Sequence, residues 1–212
     1  MAETSAPDGQ SRRSQRRLQH LDLSRAQLLD AAEEVFGAKG YYATTLKEVA
    51  DLAEFSVGSV YSFFDNKSDL FTQLFLRRGV EIVDAMQVAA AGGASSVDRL
   101  HALVDAEVGF FRGHPHFARL FLRSSTLVMP RPGEDHPDDP SEQSFQDAMG
   151  LHAEVFRRGQ QAGELRDGEP EVLGWMLSGM ITAFLAMDVQ ADGGGDASLA
   201  TLHAIVEGAF GA

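Results

Sequence analysis

Apolar side chains recur at helical spacing along almost the whole chain, and no run alternates as a strand does. Over 25–39, Leu28, Leu29, Ala32, Val35 and Phe36 fall on one stripe. Ser24 stands where an N-cap would, and Gly40 supplies the left-handed residue that ends the helix. Thr44 or Thr45 caps a second helix with Lys47 and Glu48 in its first turn, and Ser56 caps a third. Asp65 or Asn66 opens a fourth, from Lys67 to about Ala91, carrying Leu70, Phe71, Leu74, Phe75 and Val80 until Gly92-Gly93 breaks it. Further helices are expected over Val97–Phe111, Phe117–Met129 after a corner at Gly113–Pro115, Ser141–Gln161 before Gly163, Pro170 to about Val189, and Ala197–Phe210. Residues 130–140, with four prolines, read as a mobile loop and 191–196 as a linker. The predicted fold class is all-α, with about nine helices and no internal repeat.

One segment of this pattern is special. Across 41–67, Leu46, Val49, Ala53, Phe55, Val60 and Phe63 face one core, and small Ala50 lets the third helix cross close over the second. The third helix keeps a polar outer face. That is the layout of a helix-turn-helix offering its second helix to a DNA groove. The expected organisation is a flexible basic N-terminal arm over 1–22, a helix-turn-helix DNA-binding domain over 23–70, and a C-terminal ligand-binding and dimerisation domain over 71–212.

Composition narrows the reading. The 212-residue chain is 44% hydrophobic and has no cysteine, which excludes disulfides and thiolate chemistry and fits a reducing cytoplasm. No signal-peptide pattern opens it. The longest apolar stretch, around Trp175–Val189, is interrupted by Gly179, Thr182 and Asp188 and reads as too short for a bilayer, so no membrane partner is expected. A net charge of −13 opposes DNA binding, because phosphate contacts need Lys and Arg. The charge is unevenly spread, however. Residues 1–70 carry eight Lys+Arg against eleven Asp+Glu, and 71–212 carry ten against twenty. All three lysines (Lys39, Lys47, Lys67) and the cluster Arg12, Arg13, Arg16 and Arg17 lie in the first part.

At Leu28-Leu29-Asp30-Ala31-Ala32, Phe36, Gly40-Tyr41, Thr44-Thr45-Leu46, Val49-Ala50, Ser56-x-Gly58-Ser59-Val60-Tyr61, Phe64 and Lys67-x-x-Leu70, the chain closely resembles the DNA-binding domain of the TetR family of bacterial regulators. Phe156-Arg157-Arg158-Gly159-Gln160 through Gly163-Glu164-Leu165-Arg166 resembles a phrase found late in that family. The resemblance implies an all-α homodimer that binds a double-stranded operator and responds to a small molecule. Carried over, Thr44 and Thr45 would meet phosphate, Ser56, Val57 and Gly58 would enter the groove, and Ser59 and Ser62 would face base edges. Tyr61 would bond a phosphate, and Lys67 the DNA backbone. Two positions depart from the family's pattern: Val57 stands where Lys is frequent, and Glu54 occupies the turn position usually held by Gly.

In the second part, Phe110, Phe117, Phe121, Met149, Phe156, Trp175, Met180 and Phe184 are the candidates to line an apolar pocket, which favours an apolar or aromatic effector. Small residues interleave on the eighth helix, so Leu177, Ile181 and Leu185, with Leu202, Ile205 and Val206 of the ninth, are the candidate dimer interface. His114-x-His116 is too unspecific to indicate a metal. No nucleophile elbow, phosphate loop or dinucleotide fingerprint occurs, so neither catalysis nor a cofactor is expected. The leading function is a ligand-responsive transcriptional regulator, most simply a repressor. The alternative is a helical ligand-binding or interaction module whose DNA head is vestigial.

Overall fold

The computed structural model describes residues 8–128, 140–190 and 198–212, with side chains over 14–123, 143–189 and 198–212. Of the expected loop over 130–140, residues 130–139 lie outside the described residues, as does the linker over 191–196, while Pro140 opens a helix. Among those described there are nine helices: α1 Asp8–Lys39, α2 Leu46–Leu52, α3 Val57–Phe63, α4 Lys67–Ala91, α5 Ser96–Gly113, α6 Pro115–Val128, α7 Pro140–Gln161, α8 Pro170–Gln190 and α9 Leu199–Phe210. The chain divides within α4 into two compact units, 1–71 and 72–212.

In the first unit, α1 buries Leu28, Leu29, Ala32, Val35 and Phe36, the stripe expected from spacing, and α2 adds Val49 and Ala50. Phe36 meets the ring of Phe71 edge-on at 5.4 Å, and Tyr41 meets the same ring at 4.9 Å. Two expectations need correction. The first helix starts at Asp8, so residues 8–22 of the expected arm are helical and Ser24 lies inside a helix, its Oγ 3.3 Å from His20 Nδ1. A run of Gln, Arg and Leu has enough intrinsic helix preference to extend α1 beyond its packed part. The inward aromatic is Phe64, the residue just after α3, which is buried, whereas Phe63 on α3 is only half-buried.

In the second unit α5 packs against α6, α7, α8 and α9, and α7 lies along α8. Leu100, Leu103, Val104, Val108 and Phe111 form the buried stripe of α5. Gly159 is required where α7 meets the following turn: a Cβ there would lie 2.5 Å from Leu165 Cγ and 2.9 Å from Ser96 Cβ. Arg166 N–H donates to Phe210 C=O at 2.9 Å, and Leu165 bridges Gly211, which ties the end of α9 to the α7–α8 turn. Over 170–189, α8 is long and apolar enough to cross a membrane, so the expectation that it is too short is corrected. Its core stripe of Leu173, Leu177, Ile181 and Leu185 is buried inside the protein. Near its end Asp188 forms a bidentate ion pair with Arg112, at 2.8 and 2.9 Å.

Candidate DNA interface and ligand cavity

The turn between α2 and α3 is built from the ends of the two helices. Thr45 caps α2 in a capping box: its Oγ1 accepts from Glu48 N–H while Glu48 accepts from Thr45 N–H at 2.9 Å. At the other end Phe55 N–H donates to Ala50 C=O at 2.8 Å and Glu54 N–H to Asp51 C=O at 3.3 Å. These two bonds define a Schellman motif, and its left-handed position is Glu54, with φ 59°. Ser56 then caps α3 by accepting from Ser59 N–H at 3.0 Å.

Val60 is the inward anchor of α3 and is fully buried. The helical period therefore turns the other side outward. Tyr61 is 57% exposed, Gly58 and Ser62 are exposed, and Val57 and Ser59 are half-buried. The outward face thus holds hydroxyls and a phenol without a cation. Ser62 Oγ currently donates to Ser59 C=O at 2.6 Å, and Ser59 Oγ is 2.8 Å from Ser56 Oγ.

Two of the candidate DNA residues sit elsewhere. Thr44 is buried and donates to Gly40 C=O at 2.9 Å, so its hydroxyl fastens the α1–α2 turn and is not available to a phosphate. Lys67 donates to Tyr41 C=O and Thr44 C=O, each at 3.0 Å, with its ammonium 4.5 Å from the Tyr41 ring centroid. It clamps the same turn to the start of α4. Asn66, not Asp65, caps that helix, accepting from Asp69 N–H at 2.9 Å.

The remaining lysines make surface pairs, Lys39 with Glu48 and Lys47 with Asp51. The Lys39 ammonium and the Thr45 hydrogen bonds push the Glu48 carboxyl down to about 2. The Lys47 pair is highly exposed. Such pairs contribute little, about 0.2–1 kcal/mol, so exchanging Asp51 for a phosphate costs α2 almost nothing. Arg16 and Arg17 project from the exposed early turns of α1.

In the second unit a cavity opens among α4, α5, α6, α7 and α8, with ≈ 690 Å³ of empty space counted out to its mouth. Its walls are mainly apolar, with Met86, Phe111, Phe117, Phe121, Phe145 and Met149 prominent. Of the residues expected to line a pocket, Phe117, Phe121 and Met149 do so. The other five do not. Phe110 packs on His114, Phe156 is core against Phe210, and Trp175 is 43% exposed beside Phe145. Met180 is half-buried away from the lining, and Phe184 lies under Arg112.

The expected dimer residues need a similar correction. Leu177, Ile181, Leu185, Leu202 and Val206 are buried by their own chain, and Ile181 and Leu185 line the cavity; Ile205 alone is exposed, at 52%. The exposed apolar side of α8 is one helical register away, at Val172, Met176 and Met187.

His152 is completely buried on α7, and its Nε2 lies 2.6 Å from Oε1 of Glu107, a buried carboxylate on the cavity wall. The signal was Glu107's place on the stripe Val104–Val108–Phe111, where an acidic residue has no business without a partner. His114 and His116 do not converge: His114 Nδ1 is 2.8 Å from Phe110 C=O, and His116 faces Arg119. Among the described residues no three His, Asp or Glu side chains are grouped to hold a metal.

Residues 28–74 match the family model described as "Bacterial regulatory proteins, tetR family". The HTH-type transcriptional activator FasR of Mycolicibacterium smegmatis is 31% identical over 125 residues, a match spanning 59% of this chain and 56% of that protein. The fatty acid metabolism regulator protein of Bacillus subtilis is 23% identical over 145 residues, spanning 67% of this chain and 71% of that one. A crystal structure of the regulator FadR from Bacillus subtilis, in complex with stearoyl-CoA, superimposes with TM-score 0.73 at 20% identity, covering 86% of this chain and 95% of that one. Residues 28–74 thus match the TetR-family DNA-binding head in sequence and in helix-turn-helix geometry, and the nine-helix fold of the described residues is that of solved TetR-family regulators.

Proposed function

We propose that this protein is an intracellular, ligand-responsive transcriptional regulator that binds a palindromic DNA operator as a homodimer and is switched by a small, largely apolar effector held in the α4–α8 cavity. The observation that carries the DNA reading is the two-sidedness of α3: Val60 is sealed into the core while Ser59, Tyr61 and Ser62 face out from a helix fixed at both ends. Hydroxyls of this kind bond phosphates and accept several base partners, so contacts through shape and backbone contribute much of the affinity. Thr45, Lys47 and the Arg16–Arg17 pair supply the flanking contacts.

A dimer follows from the geometry of the target, because two recognition helices must lie about 34–36 Å apart to enter successive major grooves. The face suited to it is the exposed side of α8, with Val172, Met176, Gly179, Ala183 and Met187 in one row, together with Ile205 of α9. The small residues allow close approach, and the three large ones supply apolar area. Sedimentation of Met176→Glu/Ile205→Glu at micromolar concentration is expected to give a folded monomer, against a dimer for the unaltered chain.

The cavity's apolar walls favour an apolar ligand. Release of DNA on effector binding is the expected direction, that of a repressor. The relative FasR carries the name of an activator, so a promoter fusion in a deletion background decides the sign. DNA binding itself is tested by fluorescence anisotropy against salt. A slope of several units of log K per log salt, lowered by about one by Lys47→Ala while Tyr61→Phe weakens binding at an unchanged slope, supports the reading; a sequence-independent or salt-independent signal refutes it.

A further inference from the structure

Four phenylalanines of the cavity lining form one connected set. Phe75 meets Phe117 edge-on at 5.2 Å, Phe117 lies parallel to Phe111 at 6.0 Å, and Phe111 meets Phe121 at 4.9 Å. They come from three helices: Phe75 from α4, Phe111 from α5, and Phe117 and Phe121 from α6. Three of them are buried and Phe121 is half-buried. Each ring is therefore oriented by another before any ligand arrives. Aromatic pairs gain from edge and face geometry beyond the area they bury, so a ligand ring entering this set gains more than a saturated group of the same shape. Met86 and Met149, also on the lining, add sulfur, which favours an aromatic neighbour as well.

On α8 the lining has a different character. Ser178 and Thr182 stand one turn apart on one side of the helix, both half-buried. Among the described residues neither hydroxyl has a hydrogen-bond partner in the protein. A helical Ser or Thr can satisfy itself on the carbonyl one turn back, and these two do not. Glu107, the acidic group of the lining, has His152 as its partner at 2.6 Å wherever their proton sits. No Lys or Arg lines the cavity among the described residues, so an anionic ligand would lose its hydration with no cation to replace it.

Taking the cavity as the effector site proposed above, we infer that it selects a neutral aromatic ligand carrying a hydroxyl or carbonyl oxygen. The ligand's ring joins the phenylalanine set, and its oxygen hydrogen-bonds with Ser178 and Thr182. A hydroxyl side chain both donates and accepts, so either kind of oxygen suits these two positions.

The test is isothermal titration of the full chain, at neutral pH, with phenylbutanol, cyclohexylbutanol, butylbenzene and phenylbutanoate. A saturated ring leaves water more readily than phenyl, so burial alone ranks cyclohexylbutanol above phenylbutanol. Ring pairing reverses that order, and phenylbutanol is expected to bind roughly threefold tighter or more. Phe121→Leu should remove this advantage while moving cyclohexylbutanol less than about twofold. Ser178→Ala/Thr182→Val deletes both hydroxyls, and should weaken phenylbutanol about fivefold and butylbenzene less than about twofold. Phenylbutanoate should bind weakest. Folding of each variant is checked by circular dichroism. Ser178→Ala alone replaces the double variant if that one does not fold, and the ranking on the unaltered chain replaces Phe121→Leu. Cyclohexylbutanol as tight as phenylbutanol overturns the aromatic assignment, and phenylbutanoate as tight overturns the neutral one. Phenylbutanol unmoved by loss of the hydroxyls overturns their role. Each of these results leaves the cavity reading standing, whereas failure of all four compounds, together with saturated long-chain alcohols, overturns both.

Discussion

Glu54→Gly is expected to stabilise the DNA-binding head. Glu54 holds the left-handed position of the Schellman motif that closes α2, with φ 59° and an exposed side chain. A non-glycine residue there costs about 1–2 kcal/mol in Cβ–carbonyl crowding. Glycine gives back part of that gain through the freedom it adds to the unfolded chain, about 0.4–1 kcal/mol. The net expectation is about 1 kcal/mol in favour of Gly. Removing a negative charge from the C-terminal end of α2 adds a few tenths more, about 0.3 kcal/mol at an exposed site. Glu54→Ala separates the two effects, because it removes the charge and keeps the strain. If 1–71 melts as its own unit, 1 kcal/mol corresponds to roughly 4–8 °C, and to about 2–4 °C if the whole chain melts together. The optical probes divide conveniently: Tyr41, Tyr42 and Tyr61 are the only tyrosines and lie in the first unit, while Trp175, the only tryptophan, lies in the second. Tyrosine absorbance should therefore report a higher midpoint for Glu54→Gly than for Glu54→Ala. Equal midpoints for Gly and Ala would show that the turn stores no strain.

Other positions give further expectations. Lys67→Met removes the donor shared by Tyr41 C=O and Thr44 C=O and should cost about 2 kcal/mol by chemical denaturation; a loss below about 0.5 kcal/mol would mean the clamp is idle. Arg112 holds the Asp188 carboxyl below its ordinary 3.8, mainly through their hydrogen bonds. Since the folded-state value is the lower one, this pair's stabilisation is present above about pH 4 and disappears as pH falls through the folded value. The stability gap between the unaltered chain and Asp188→Asn should therefore close as pH falls below about 4 and through the lower folded value, and a gap constant with pH would contradict the pairing. Val57→Lys restores a cation at the start of α3, and should steepen the salt dependence of DNA binding by about one unit and tighten it at low salt. An unchanged slope would remove position 57 from the interface.

Local chemistry made most of the elements legible. The cap Ser56 and the terminators Gly40 and Gly163 act over three or four residues, so their signals are complete in sequence. The strained turn at Glu54 was marked by the family resemblance, in which Gly usually holds that position. What failed depends on neighbours distant in the chain. Thr44 and Thr45 are equivalent as residue types, but only the fold sends one hydroxyl inward to Gly40 and the other to Glu48. On α8, apolar residues occur all round the helix, so spacing could not tell the cavity row of Ile181 and Leu185 from the exposed row of Met176 and Met187. The start of α1 was missed because residues 14–23 bury almost nothing and carry no apolar stripe to read. The late phrase Gly159 to Arg166 acquires a reason only in three dimensions: Gly159 admits Leu165, and Glu164 accepts from Ser96 N–H at 2.6 Å at the start of α5.

The most direct test of the central claim is selection of duplexes from a random DNA pool by the purified chain at moderate salt, with sequencing of what is retained. Enrichment of an inverted repeat, with half-sites centred about one helical turn (10–10.5 base pairs) or a multiple of it apart, is the predicted outcome, and Tyr61→Phe should weaken retention without changing the motif. A pool that stays flat for protein refolded free of ligand, while sedimentation reports an intact dimer, would contradict the account and leave the α3 face without a DNA partner.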